Sequence, residues 1–227
     1  MSRRAGIGYA IARRLEVDRL TLHGWGDSVE DAAAALRAER PGVEIATVEA
    51  DFADPEAPER VVAAAGELDI LVANHADSPR GGLGELAAAE IDRALAVNVR
   101  ATLLLVQAVY ARHDGREGGR VILMTSGQHR GPMPGELAYI AGKGALHQLT
   151  RSLAAGVADK RITVNCIDPG ATDTGWADPE TYAAVLAEAP FGRWGEPDDA
   201  ARLIAFLCSP AGRWVTGQVI TSSGGGP

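Results

Sequence analysis

Positive charge is in deficit along this chain: 22 Lys and Arg stand against 30 Asp and Glu, for a net charge of −8. An acidic chain repels a phosphate backbone, so nucleic acid is not expected as a partner. The basic pairs Arg3–Arg4 and Arg13–Arg14 are too short to reverse that. No run of about 18 apolar residues is present, so no transmembrane helix and no membrane partner is expected. The start, MSRRAGIGYA, lacks the apolar core of a secretory signal. Cysteine is nearly absent. Cys166 and Cys208 both sit in apolar runs and read as buried thiols of a reducing compartment, which points to a cytoplasmic protein. His23, His75, His113, His129 and His147 have no zinc-like spacing, so no metal site is expected. No repeat, low-complexity linker or domain boundary interrupts the 227 residues, which read as one domain over 1–227.

What the chain does have is alternation. Short runs rich in Val, Ile and Leu occur at 19–23, 44–50, 69–73, 120–125, 161–167 and 218–221. They show little polar alternation, as strands buried on both faces should. Helical patterns lie between them. Residues 28–39 open on Ser28-x-x-Asp31, a candidate capping box, and stop before Pro41-Gly42. Residues 85–112 and 138–158 are long and rich in Ala or Leu, and 197–208 begins with Pro197 at a helix start. Strand–helix–strand alternation predicts an α/β fold, a Rossmann-type doubly wound parallel sheet flanked by helices. Such sheets bind ligands at the carboxyl ends of their strands.

Gly6-Ile7-Gly8 is followed at once by an amphipathic pattern, YAIARRLEV. Glycines at a helix mouth let a pyrophosphate approach backbone N–H groups and the positive helix end. A dinucleotide fold needs a strand leading into such a turn. Only five residues precede Gly6 and none reads as strand, so the first strand is expected to be missing here. Tyr139-Ile-Ala-Gly-Lys143 places a phenol and an ammonium at i and i+4, on one helix face. A lysine charge there is expected to lower the tyrosine pKa from about 10 towards neutrality, giving an acid/base for cellular pH. A bare Tyr-x3-Lys also occurs as a surface pair, so further residues decide. Ser126 closes the run 120–125 at the sheet's carboxyl edge, thirteen residues before Tyr139. Asn98 lies in LAVNVRA, inside an apolar helical pattern where asparagine is otherwise poorly placed, and Asn74 follows DILVA.

In this ordered set the chain resembles the short-chain dehydrogenase/reductase family from Ser2 to Gly225, and its GRVILMTS and AYIAGKGAL stretches are similar to the 3-oxoacyl-ACP reductase branch. The family's glycine turn matches Arg3-Arg4-Ala5-Gly6-Ile7-Gly8, and its adenine-contacting acid matches Asp51, followed by Phe52. Its Asn-Asn-Ala-Gly motif matches Asn74-His75-Ala76-Asp77, with Asp77 in place of glycine. Its asparagine, serine and Tyr-x3-Lys pair match Asn98, Ser126, Tyr139 and Lys143; its Pro-Gly turn matches Pro169-Gly170, with Thr172 and Thr174 beyond.

The resemblance implies a hydride exchange between NAD(P)(H) and a carbonyl or secondary alcohol. It implies Tyr139 as acid/base, Lys143 on the Tyr139 phenol and the nicotinamide ribose, and Ser126 on the substrate oxygen. It implies Asn98 as the holder of a water relaying protons to Lys143. It implies cofactor contacts from Ser2, Arg3, Arg4, Gly6, Ile7, Gly8, Asp51, Phe52, Asn74, Ala76, Tyr139, Lys143, Pro169, Gly170, Thr172 and Thr174. NADP(H) is favoured over NAD(H): His23-Gly24-Trp25 follows the 19–23 strand with no acid until Asp27, and Arg3 and Arg4 suit a 2′-phosphate. His129 and Met133 are candidate pocket residues, and Trp176 is a candidate lid or packing residue. Asp173 and Asp178 read as helix-capping or solvated, and 127–137 and 171–190 as loops. The broad apolar faces of 85–112 and 138–158 predict a homo-oligomer, a dimer or tetramer. The competing function is a non-catalytic oligomeric protein with an impaired cofactor site, because a glycine turn without its leading strand is expected to hold a dinucleotide weakly.

Overall fold

All six apolar runs form strands, each within two residues of the expected bounds. The structure, a computed structural model, describes residues 6–25 and 29–226. Strands β1 (Arg19–Gly24) and β2 (Glu44–Glu49) pair in parallel. A second parallel sheet runs in the order β3 (Ile70–Ala73), β4 (Arg120–Met124), β5 (Thr163–Asp168) and β6 (Val219–Thr221). The helices are α1 (Ile7–Arg14), α2 (Val29–Glu39), α3 (Ala57–Ala65), α4 (Ala88–Leu95), α5 (Ala101–Arg112), α6 (Leu137–Gly156), α7 (Pro179–Glu188) and α8 (Pro197–Cys208).

The core sits on both faces of β4 and β5, as unbroken apolar strands require. Val121 and Leu123 of β4 pack with Val106 of α5 and Ala154 of α6. The alternate residues Ile122 and Met124 pack with Ile11 of α1 and Ile204 and Leu207 of α8. This period-2 division explains why Val121 to Met124 of β4 are all apolar. Helix α1 ends on Arg13 and Arg14 in its last turn, where cations complement the helix dipole, and Arg14 forks onto Asp198 at the start of α8.

Four expectations change. The single sheet is divided: among the described residues no strand lies between β1 and β3, and a cavity of about 940 Å³ takes that place. The expected loop 171–190 contains α7, begun by Pro179 and capped by the Asp178 carboxylate, which accepts from Thr181 N at 2.8 Å. The helical stretch 85–112 is interrupted by a π-helical turn at Ala96–Arg100. Cys208 is only half-buried, unlike Cys166. The segment Ala88–Arg112 is also long and apolar enough to cross a membrane by length and composition, but half of that apolar window is buried inside the fold. The expected cap at Ser28 and the residue Asp27 lie outside the described residues, as do Ser2, Arg3 and Arg4.

Candidate active site

The carboxyl end of β4 meets the start of α6. Ser126 follows β4 in extended backbone, and its hydroxyl hydrogen-bonds the Tyr139 phenol from the first turn of α6. Lys143, one turn further on, is buried. Its Nζ donates to the Met124 carbonyl at 2.9 Å and lies 5.7 Å from the centre of the Tyr139 ring. The Lys143 carbonyl in turn accepts from Thr125 Oγ1 at 3.0 Å, so β4 and α6 are tied together twice at this level.

The electrostatics differ from the sequence expectation. Burial raises the Tyr139 pKa above its ordinary value, the Ser126 hydrogen bond opposes that, and the Glu136 and Asp168 carboxylates add to it. The expected depression by Lys143 is not what governs this phenol, because the ammonium is turned onto the Met124 carbonyl. Lys143 itself is pushed down to about 8 by burial. Tyr139 is therefore a protonated donor at neutral pH, beside a lysine still mostly charged.

Asn98 occupies the π-helical turn, fully buried. Its Oδ1 accepts from Asp77 N at 2.8 Å and its Nδ2 donates to the Asp77 carbonyl at 2.7 Å. Both ends of the amide brace the loop after β3. π-turns occur at functional sites because they re-aim one residue without breaking the helix.

Five of the expected cofactor residues, Gly6, Ile7, Gly8, Phe52 and Asn74, line one cavity. Gly6, Ile7 and Gly8 form the start of α1 beside Asn74 and His75. A Cβ on Gly8 would come within 2.9 Å of Asn74 Nδ2, so glycine is what allows the helix mouth to close on that loop. Gly6 has no side chain to cap α1, and first-turn N–H groups are left for an anion. Ala76 is exposed beside this loop. Phe52 is buried between the rings of His23 (4.0 Å) and His75 (4.6 Å). Burial lowers the His75 pKa to about 3, so that imidazole is neutral.

Asp51 accepts from Ala53 N at 2.9 Å and from Arg93 at 3.2 Å; these bonds hold its carboxyl below the ordinary range although burial opposes them. After β5, Gly170 takes a positive φ of 66°, and a Cβ there would meet Ser223 Cβ at 2.7 Å. Thr172 Oγ1 donates to the Pro169 carbonyl at 3.0 Å, and Thr174 is half-buried beyond it. A helix mouth without side chains, a polar loop and a glycine turn at strand carboxyl ends fit a dinucleotide.

Several contributors were not visible in the sequence. Asp168 is buried at the end of β5, held by Arg130 at 2.9 Å, and it accepts from Gly170 N at 2.9 Å, fixing the Pro169–Gly170 turn. Gly142 lies against Asn98, where a Cβ would come within 2.9 Å of the asparagine Cβ. A glycine inside an alanine-rich helix was the one available signal for it. Of the pocket candidates, His129 Nδ1 contacts the Ser126 carbonyl at 3.1 Å and its ring meets His147 at 4.9 Å. Met133 is half-buried. Trp176 donates to the Thr172 carbonyl at 3.1 Å and packs edge-on against Trp194 at 5.8 Å.

Comparison with known proteins agrees with this geometry. A family model described as Enoyl-(Acyl carrier protein) reductase matches residues 1–226. The uncharacterized oxidoreductase YjdA of Bacillus subtilis is 39% identical over 234 residues, covering 99% of this chain and 93% of that protein. A short-chain dehydrogenase from Burkholderia cenocepacia, solved with NADP, is 37% identical with a TM-score of 0.86, over 99% of this chain and 95% of that one. The angucycline C-6 ketoreductase LanV, also solved with NADP, is 31% identical with a TM-score of 0.87, over 99% and 93% respectively.

Proposed function

The chain belongs to the short-chain dehydrogenase/reductase family of NAD(P)-dependent oxidoreductases, and from that premise we propose that it reduces a ketone to a secondary alcohol with Tyr139 as the proton donor. The observation that carries this reading is the Ser126–Tyr139 hydroxyl pair, with a protonated phenol and the buried Lys143 one helical turn away. A carbonyl oxygen placed between the two hydroxyls accepts from both. As it gains negative charge, Tyr139 releases its proton to it, and Ser126 holds the oxygen in place. The Lys143 ammonium, fixed on Met124, lowers the cost of the phenolate left behind. Asn98 serves as a positioning residue by fixing the loop that carries Asn74 and Asp77. When bound, the dinucleotide would supply the hydride from its nicotinamide; Gly6, Ile7, Gly8, Asn74, Pro169 and Gly170 would hold the dinucleotide. The raised Tyr139 pKa favours the reductive direction, because the donor form dominates at neutral pH.

The test is NADPH oxidation against a panel of ketones. Tyr139→Phe is expected to lower kcat by at least about a hundredfold with an unchanged circular dichroism spectrum. Near-normal turnover in an active preparation would refute the role. NADPH is expected to bind at least about tenfold more tightly than NADH, since no acid follows β1 until Asp27 to accept from a ribose 2′-hydroxyl. Equal or tighter NADH binding would overturn that preference. One observation favours a second reading, a non-catalytic oligomeric protein: the cavity reaches Gly6, Ile7 and Gly8, and among the described residues no strand lies beneath the glycine turn. Absence of saturable NADPH binding would select it.

A further inference from the structure

Three segments are tied to the surroundings of Ser126 and Tyr139, and each presents apolar side chains that the described residues leave uncovered. The first follows β3 and carries the exposed Leu83 and Leu86. Gly81 N donates to the Gly135 carbonyl at 2.7 Å, and Leu137 N to the Gly81 carbonyl at 3.4 Å, which straps this segment to α6 two residues before Tyr139. The second follows the Pro169–Gly170 turn. Gly195 N donates to the Ala171 carbonyl at 2.9 Å and Asp173 N to the Gly195 carbonyl at 2.8 Å, which anchors Trp194 beside that turn. Trp194 is buried, with Tyr182 of α7 stacked on it at 4.8 Å and Trp176 edge-on at 5.8 Å. The third carries Phe191, 75% exposed, against the turn at Gly224, where a Cβ would come within 3.3 Å of its ring. The Gly226 carbonyl of that turn accepts from Arg130, four residues after Ser126, at 2.9 Å.

The first two segments face each other. The Asp178 carboxyl at the start of α7 is held below its ordinary range by the Thr181 N–H and, less strongly, by the charge of Arg80, next to Gly81. The aromatic cluster between them has no polar group to spare. Trp194 Nε1 donates to the Tyr182 carbonyl at 3.0 Å and Trp176 Nε1 to the Thr172 carbonyl at 3.1 Å. Trp176 is 44% exposed, and with its N–H occupied it offers only ring surface. Fixed apolar and aromatic surface gathered beside polar groups that converge on one point is the lining of a small-molecule site.

We propose that the substrate is a ketone carried on a planar aromatic ring system the size of an indole, and that Trp176 is the residue that selects it. This rests on the ketone-reducing reading of the site. The rings lie against the open surface of Trp176 while the carbonyl oxygen sits between the Ser126 and Tyr139 hydroxyls. Leu83, Leu86 and Phe191 cover the remaining edges. A saturated ketone of equal size would bury similar apolar area, but an aromatic one adds offset or edge-on ring contacts to Trp176.

The probes are 2-tetralone and trans-2-decalone, which share a carbon skeleton and differ in whether the second ring is aromatic and flat. Each is titrated by calorimetry into the full chain with oxidised NADP, which has no hydride to give, so binding is read without turnover and apart from the role of Tyr139. 2-Tetralone is expected to bind at least about threefold more tightly than trans-2-decalone. Trp176→Leu is expected to abolish that preference and Trp176→Phe to keep it. In NADPH oxidation, Trp176→Leu is expected to raise KM for 2-tetralone at least about threefold and to leave kcat within about twofold. Equal binding of the two ketones, a preference that survives Trp176→Leu, or no saturable binding of 2-tetralone up to its solubility limit would each overturn the proposal. A change of mass in light scattering on Trp176→Leu would do so too, because the face would then be a contact between copies of the chain. Trp176-dependent binding of 2-tetralone together with near-normal turnover after Tyr139→Phe would leave this substrate class standing and refute the proton donor.

Discussion

Lys143 carries an ammonium into a site where it is almost wholly buried and holds it there with one carbonyl. Burial lowers its pKa from 10.5 to about 8. Between those values the unfolded chain keeps a proton that the folded chain has released, so this group raises stability as pH rises through that window. Below about 8 both states are protonated and the burial cost is constant. Urea unfolding at pH 7.5 and 9.5 therefore gives a measurable sign. The stability of the wild type relative to Lys143→Met is expected to rise by about 2 kcal/mol over that interval. The comparison with the variant removes Cys166 and Tyr139, whose raised pKa values act in the opposite direction. A flat or falling difference would mean that the ammonium is not buried as described. The pairing of Tyr139 with Lys143 was legible from i,i+4 spacing. The sign of the tyrosine shift was not, because burial and the Met124 carbonyl come from chain segments that spacing does not reveal.

At the scale of elements, the junction of α6 with the π-helical turn sets the site. Gly142 makes contact with Asn98 possible, whereas Gly144, two residues on in the same helix, faces open space within 4 Å. The same substitution should then have opposite signs at the two positions. Gly144→Ala is expected to stabilise by up to about 1 kcal/mol, the ordinary gain of alanine over glycine in a helix. Gly142→Ala is expected to destabilise by about 1–3 kcal/mol through overpacking and to lower kcat, because it displaces the turn carrying Tyr139 and Lys143. Thermal unfolding of both variants checks this, and equal effects at the two glycines would refute it. The existence of α6 and α8 could be read from periodicity and Pro197. The π-turn could not, since a wider turn leaves no mark in a 3.6-residue pattern. Helix α7 was hidden because its flanking Pro, Gly and Asp residues look like a loop until Asp178 and Pro179 are seen as cap and first turn.

At the scale of the whole molecule, apolar surface remains uncovered in several places, two of them on α4–α6 and beside β6. Leu103 and Leu104 of α5 and Leu149 of α6 are only half-buried, and Leu95 at the end of α4 is exposed. Beside β6, an edge strand, Trp214 is 93% exposed and Phe206 47%. Two such patches on one chain suit a symmetric assembly using both, and a homotetramer is the expected state. Light scattering at micromolar concentration checks this, and Trp214→Glu is expected to halve the mass by removing the contact near β6. A stable wild-type monomer would refute it.

By itself the sequence determined the six strands, the helices other than α3 and α7, the parallel sheet class and the grouping of Ser126, Tyr139 and Lys143, because hydrophobic period, proline and glycine placement and i,i+4 spacing are local properties. Only the tertiary structure decided that the sheet divides into two and encloses a cavity. Only it decided that Asn98 braces Asp77 rather than facing solvent, and that Asp168 with Arg130 fixes the Pro169–Gly170 turn. Burial, edge pairing and pKa are set by which distant segments meet, and no window of a single sequence contains that information.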